Sequence, residues 1–118
     1  MSERVLVEVQ DGVADVRLNR PEKLNALDNQ MFRAIVDAGE GLKNRDDVRA
    51  VVLSGEGRSF CAGLDFSSFQ AMGNEREENK AEPTVDHLEG RMTHIGQQAA
   101  WVWQELEVPV IGAIEGHA

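Results

Sequence analysis

At 118 residues, with 21 acidic against 12 basic side chains and a net charge of −9, the chain makes one domain at most. The acidic balance is repelled by phosphate and argues against a nucleic-acid or anionic-membrane partner. No apolar run approaches the ~20 residues of a membrane span, the start Met-Ser-Glu-Arg lacks the layout of a secretory signal, and the lone Cys61 can form no internal disulfide; a cytoplasmic chain is expected.

In chain order, residues 4–10 alternate, with Val5, Val7 and Val9 on one face and Glu8 and Gln10 on the other. Asp11-Gly12 signals a hairpin, and the return strand 13–19 groups Ala14, Val16 and Leu18 opposite Asp15 and Arg17. Pro21 cannot donate to a ladder and breaks the strand. After Leu24-Asn25-Ala26-Leu27, Asp28 is a good N-cap for a helix in which Met31, Ile35, Ala38 and Leu42 share a face, weakened by Gly39 and Gly41. A turn at Asn44–Asp47 leads to a short apolar strand at 49–54, expected to be buried on both faces as in a parallel sheet. A hairpin, a helix and then a buried strand make an α/β arrangement.

The strand runs into Gly55-Glu56-Gly57-Arg58-Ser59-Phe60-Cys61-Ala62-Gly63, and Leu64 to Met72 is expected to be a short helix. Backbone N–H groups at the carboxyl end of a strand and the amino end of a helix can hold an anion, or an oxygen that becomes one during a reaction. Residues 73–83 are charged and aperiodic, a surface loop, with a lid over a neighbouring pocket as the functional alternative. From Thr84, Leu88, Met92, Ile95, Ala99, Val102 and Leu106 repeat at helical spacing, flanked by Trp101 and Trp103. Pro109 ends that helix, and Val110–Ile114 is read as a second buried strand.

His87, His94 and His117 are too scattered for a metal site. Cys61 has no base identifiable beside it, and its apolar neighbours favour a small buried residue. Gly55-Glu56-Gly57 lacks the third glycine and the later acidic residue of a dinucleotide fingerprint, and no Walker lysine follows a glycine loop.

Three segments in order carry more than any one motif. They are Leu18-Asn19-Arg20-Pro21-Glu22-Lys23-Leu24-Asn25-Ala26-Leu27, the run Val51–Asp65, and Pro109-Val110-Ile111-Gly112-Ala113-Ile114-Glu115-Gly116-His117-Ala118. Together they closely resemble the amino-terminal part of the crotonase (enoyl-CoA hydratase/isomerase) superfamily, over nearly all of residues 1–118, with 73–83 as its variable region. The resemblance implies an α/β spiral of ββα units, incomplete in this chain. It also implies an acyl-CoA substrate whose thioester enolate is stabilised by two backbone N–H groups.

One of these would be Leu64, after Gly63. The Ala62 carbonyl would meet coenzyme A, Asp65, Phe66 and Ser67 would line the same channel, and Leu24, Asn25 and Ala26 would run along the bent coenzyme. Arg20 and Lys23 stand between phosphate contact and solvated surface charge. No metal and no cofactor beyond coenzyme A itself is implied, and a homotrimer or pair of trimers is.

In the family, the second N–H and the hydratase glutamates come with a glycine-rich turn expected beyond Ala118; Glu115 matches neither glutamate, so the reaction type is not written in these residues. Losing one such donor typically costs about 10² to 10³ in rate. The expectations are therefore a hydratase or isomerase when complete, or else a truncated, non-catalytic acyl-CoA-binding or assembly fragment.

Overall fold

A computed structural model describes residues 3–65 and 95–118. Strand β1 (Val5–Gln10) and strand β2 (Val13–Leu18) form the antiparallel hairpin, in register from Val5 opposite Leu18 to Gln10 opposite Val13. Asp11 and Gly12 both take positive φ, 52° and 85°, the turn whose twist matches that of the two strands. Alternation then sorts β2: Ala14, Val16 and Leu18 are buried, while Asp15 and Arg17 are half-buried on the other face.

Pro21–Lys23 is a single 3₁₀ turn with Pro21 at its start, where a missing N–H costs nothing. Helix α1 (Asn29–Lys43) follows, capped by Asp28, whose Oδ1 accepts the Met31 N–H at 2.8 Å. The apolar stripe buries Met31, Ile35, Val36 and Leu42, each worth about 1.5–3 kcal/mol when fully buried. Strand β3 (Ala50–Gly55) lies parallel to β2, and β4 (Val110–Gly112) parallel to β3, giving the sheet order β1-β2-β3-β4. Helix α2 (Ile95–Trp101) packs on α1. The core lies between these helices and the sheet, with Ala14, Val16, Val48 and Val51 at one end and Leu18, Met31, Ile35 and Ala99 at the other.

Four expectations change. Within β3 only Val51 is fully buried. Its neighbour Leu53 packs with it on the core, whereas Val52 alternates to the opposite face, belongs to neither core cluster and is half-buried. The segment after Pro109 is a three-residue strand at the sheet margin rather than a buried one, and Ile111 and Ile114 are 56% and 57% exposed. Leu64 is not helical: it forms an isolated parallel bridge with Leu27. Finally, the helix expected to reach residue 107 ends at Trp101, where Gln104 N–H to Trp101 O and Glu105 N–H to Val102 O bonds tighten the chain into turns. The surface loop at 73–83, the helix part at 66–72 and the helix start at 84–94 lie outside the described residues.

Gly39 is a weakness in α1 by helix propensity, yet it lets Val102, just past the end of α2, come close. A Cβ built there would sit 2.5 Å from Val102 Cγ2. Alanine is the better helix former by about 1 kcal/mol, while overpacking costs about 1–3 kcal/mol. Gly39→Ala should therefore lower the urea midpoint, and Val102→Ala added to it should recover part of the loss.

The Asp28 carboxylate is also gripped by Arg4, at 2.9 Å, and lies 3.6 Å from Arg20. Burial pushes this carboxyl up, but the Met31 N–H bond, the Arg4 bond and the two guanidinium charges outweigh it and hold it below its ordinary value of 3.8. Its contribution to stability is thus present above that value and is lost as pH falls through the lower folded-state value. Asp28→Asn keeps a capping oxygen but removes the charge. Denaturant midpoints measured from pH 6 downward should fall less steeply below about pH 4 in this variant than in the parent.

Candidate functional site

Two loops meet beyond the carboxyl ends of β2 and β3, and backbone hydrogen bonds define how they meet. The Ala62 N–H donates to Leu24 O at 2.9 Å, the Leu27 N–H to Gly63 O at 2.7 Å, and the Asp65 N–H to Leu27 O at 2.9 Å. A short parallel ladder therefore joins 24–27 to 62–65. Gly63 O and the Leu64 N–H belong to one planar trans peptide, so they point in opposite directions. Fixing Gly63 O on Leu27 turns the Leu64 N–H outward, and among the described residues no acceptor takes it. The Leu64 side chain is 49% exposed.

Gly63 makes this turn possible. Its φ is +96°, which L side chains rarely adopt, and a Cβ built there would have no atom of the described residues within 4 Å. Ala62 is exposed, and among the described residues no N–H donates to its carbonyl.

Asn25 holds the first loop to the second. Its side chain is fully buried, accepts from the Arg20 N–H at 2.7 Å, and donates through Nδ2 to Glu56 O at 3.0 Å and Ser59 O at 2.9 Å. Leu24 and Asn25 both take positive φ, 51° and 58°, a conformation costing an L residue about 1–2 kcal/mol. The three side-chain bonds offset that strain. The Cys61 thiol, half-buried rather than buried, donates to Asn25 O at 3.4 Å.

The charges are internal as well. Arg20 Nη1 donates to Asp65 Oδ2 at 2.7 Å and to Ala26 O at 3.1 Å, and the Arg20 and Asp65 side chains are only 11% and 9% exposed. Arg20 is thus bound to protein acceptors through Nη1 and is not a solvated surface charge. Lys23 is exposed. Of the residues singled out from sequence, Leu24, Asn25, Ala26, Ala62, Gly63, Leu64 and Asp65 come together here. Phe66 and Ser67 lie outside the described residues.

One support had no sequence signal. The chain after β4 braces the second loop: the Phe60 N–H donates to Glu115 O at 2.7 Å, the Cys61 N–H to His117 O at 2.9 Å, and the His117 N–H to Ser59 Oγ at 3.4 Å. Beside it, Ser54, Gly55, Phe60, Ala113 and Glu115 line a cavity of about 170 Å³, smaller than the roughly 300 Å³ at which ligand pockets begin. Among the described residues there is no grouping of three His, Cys, Asp or Glu side chains suited to a metal ion, and no helix is long and apolar enough to cross a membrane.

Comparison with known proteins accords with this arrangement. The family model for enoyl-CoA hydratase/isomerase matches residues 8–118. The hydroxycinnamoyl-CoA hydratase-lyase of Pseudomonas fluorescens is 32% identical over 95% of this chain and 38% of its own length. The mitochondrial Delta(3,5)-Delta(2,4)-dienoyl-CoA isomerase of Mus musculus is 31% identical over 94% of this chain and 34% of its own. A solved Legionella pneumophila protein, assigned as an enoyl-CoA hydratase/isomerase (crotonase), superposes with a TM-score of 0.77 at 28% identity, over 97% of this chain and 40% of that one. The chain thus spans well under half the length of these relatives and corresponds to the amino-terminal part of their domain. On the family match and the shared fold together, this chain belongs to the enoyl-CoA hydratase/isomerase, or crotonase, family.

Proposed function

We propose that the chain provides the acyl-CoA-binding part of an enoyl-CoA hydratase or isomerase, with the Leu64 N–H as one of two backbone donors to the thioester oxygen. The observation that carries this reading is the Gly63–Leu64 peptide. Its carbonyl is tied down on Leu27, its N–H meets no acceptor among the described residues, and a Cβ on the glycine ahead of it would touch none of their atoms. A preorganised N–H of this kind stabilises negative charge that develops on an oxygen without having to reorient during the reaction. Leu24, Asn25, Ala26 and Ala62 offer the adjoining backbone for coenzyme A, and Asp65, Phe66 and Ser67 follow the donor along the same channel. Coenzyme A enters as part of the substrate, and neither a metal nor another cofactor is called for. The reading includes cytoplasmic residence and assembly as a homotrimer or hexamer, which light scattering at working concentration would check.

A second reading is that residues 1–118 by themselves act as a non-catalytic acyl-CoA-binding or assembly fragment. Calorimetric titration with crotonyl-CoA, together with a hydration assay on the same sample, separates the two. Heat of binding with turnover supports the enzyme, heat without turnover supports the fragment, and no heat rejects both. Residues 1–118 assayed by themselves carry one proposed donor of the two, so their turnover is expected about 10² to 10³ below that of a complete site. Gly63→Ala meets no atom of the described residues but cannot hold φ +96° without strain. It should weaken thioester binding by about tenfold, on the order of one such strain, while the far-ultraviolet circular dichroism stays unchanged.

A further inference from the structure

We infer that Arg20 and Asp65 form a positioning pair that fixes the direction of the Leu64 N–H. The inference rests on reading that amide as the thioester donor.

The bridge between Leu27 and Leu64 consists of only two bonds, and its glycine is conformationally free, so by itself it could open or let the Gly63–Leu64 peptide rotate. Arg20 spans it. One guanidinium nitrogen, Nη1, donates to Ala26 O on the first strand of the bridge and to Asp65 Oδ2 on the second. Ala26 directly precedes Leu27, and Asp65 directly follows Leu64. The residue after the proposed donor is thus held twice, by its N–H on Leu27 O and by its carboxylate on Arg20.

Arg20 is itself anchored. Its backbone N–H donates to Asn25 Oδ1, its carbonyl accepts the Asn25 N–H at 2.9 Å, and its guanidinium lies 3.6 Å from Asp28 at the cap of α1. The pair therefore ties the bridge to the end of β2 and to the start of α1. A planar guanidinium holds its N–H donors in fixed directions, whereas the three donors of an ammonium rotate on a flexible stem. Stability alone is a poor account of so buried a pair, because desolvation consumes most of its attraction; orientation of the bridge is what it adds.

The test uses the full chain labelled with ¹⁵N. Three forms are compared: the parent, Arg20→Lys, and the double variant Arg20→Met/Asp65→Leu, which removes both charges together and leaves neither buried alone. The first readout needs no ligand. Amide hydrogen exchange is followed at Leu27 and Asp65, the donors of the bridge, against Val51 and Val102, which donate to Pro109 and Gln98 elsewhere in the fold. The second readout is the infrared carbonyl frequency of bound butyryl-CoA labelled with ¹³C at the thioester carbon.

Exchange about tenfold or more faster at Leu27 and Asp65 but unchanged at Val51 and Val102 is expected in the double variant, with Arg20→Lys between. The carbonyl frequency, lowered by binding to the parent, should return toward its value in water in the same order. Folded variants with unchanged exchange at Leu27 and Asp65 would overturn the positioning role and leave the donor reading standing. A parent whose bound carbonyl absorbs where it does in water would overturn the donor reading itself, whatever the exchange shows. Should the double variant fail to fold, Arg20→Lys carries both readouts.

Discussion

The planarity of one peptide unit governs this site. Leu27 N–H holds Gly63 O at 2.7 Å, and because the Gly63–Leu64 peptide is flat and trans, the Leu64 N–H must point the other way. Everything nearby can be understood as a means of keeping that bond in place. Asn25 spends its whole side chain joining the loop before α1 to the loop after β3. Arg20 closes the far end of the bridge on Asp65 and Ala26, and the chain after β4 braces Phe60 and Cys61 from behind.

These fasteners are polar and almost entirely buried, whereas the elements that carry them are held by aliphatic packing. The sheet and α1 meet over Ala14, Val16, Met31, Ile35 and Val51, with no tyrosine and few aromatics in the chain. Apolar burial is non-directional and tolerates small shifts. Hydrogen bonds to backbone groups are directional, and they weaken steeply once the donor angle falls below about 120°. A rigid floor of nonpolar contacts and a directional set of polar ones above it is the division of labour that a preorganised donor requires.

Much of this was legible in the sequence. Asp11-Gly12 and the alternation on either side of it determined the hairpin and its register, because a side-chain period of two leaves only one way to bury Val5, Val16 and Leu18. Asp28 and the Met31, Ile35, Leu42 spacing determined α1 and its buried face. The order of three segments pointed to the family, and through it to Gly63 and Leu64, since a positive φ before an outward-facing amide demands glycine at one position and leaves the next side chain unconstrained.

The tertiary structure alone decided the rest. A sequence shows that Arg20 and Asp65 are charged but not that they meet across 45 positions, so solvated and buried roles look alike until the chain folds. Gly39 reads as a flaw in a helix until Val102 is seen against it. Whether β3 is covered on both faces, and how exposed β4 is, depends on which elements pack nearby, and local pattern does not carry that information. The direction of the Leu64 N–H belongs to the same class. The sequence determined that a glycine stands there; the hydrogen bond from Leu27, contributed by a loop 36 residues earlier than Gly63, decided where the amide points.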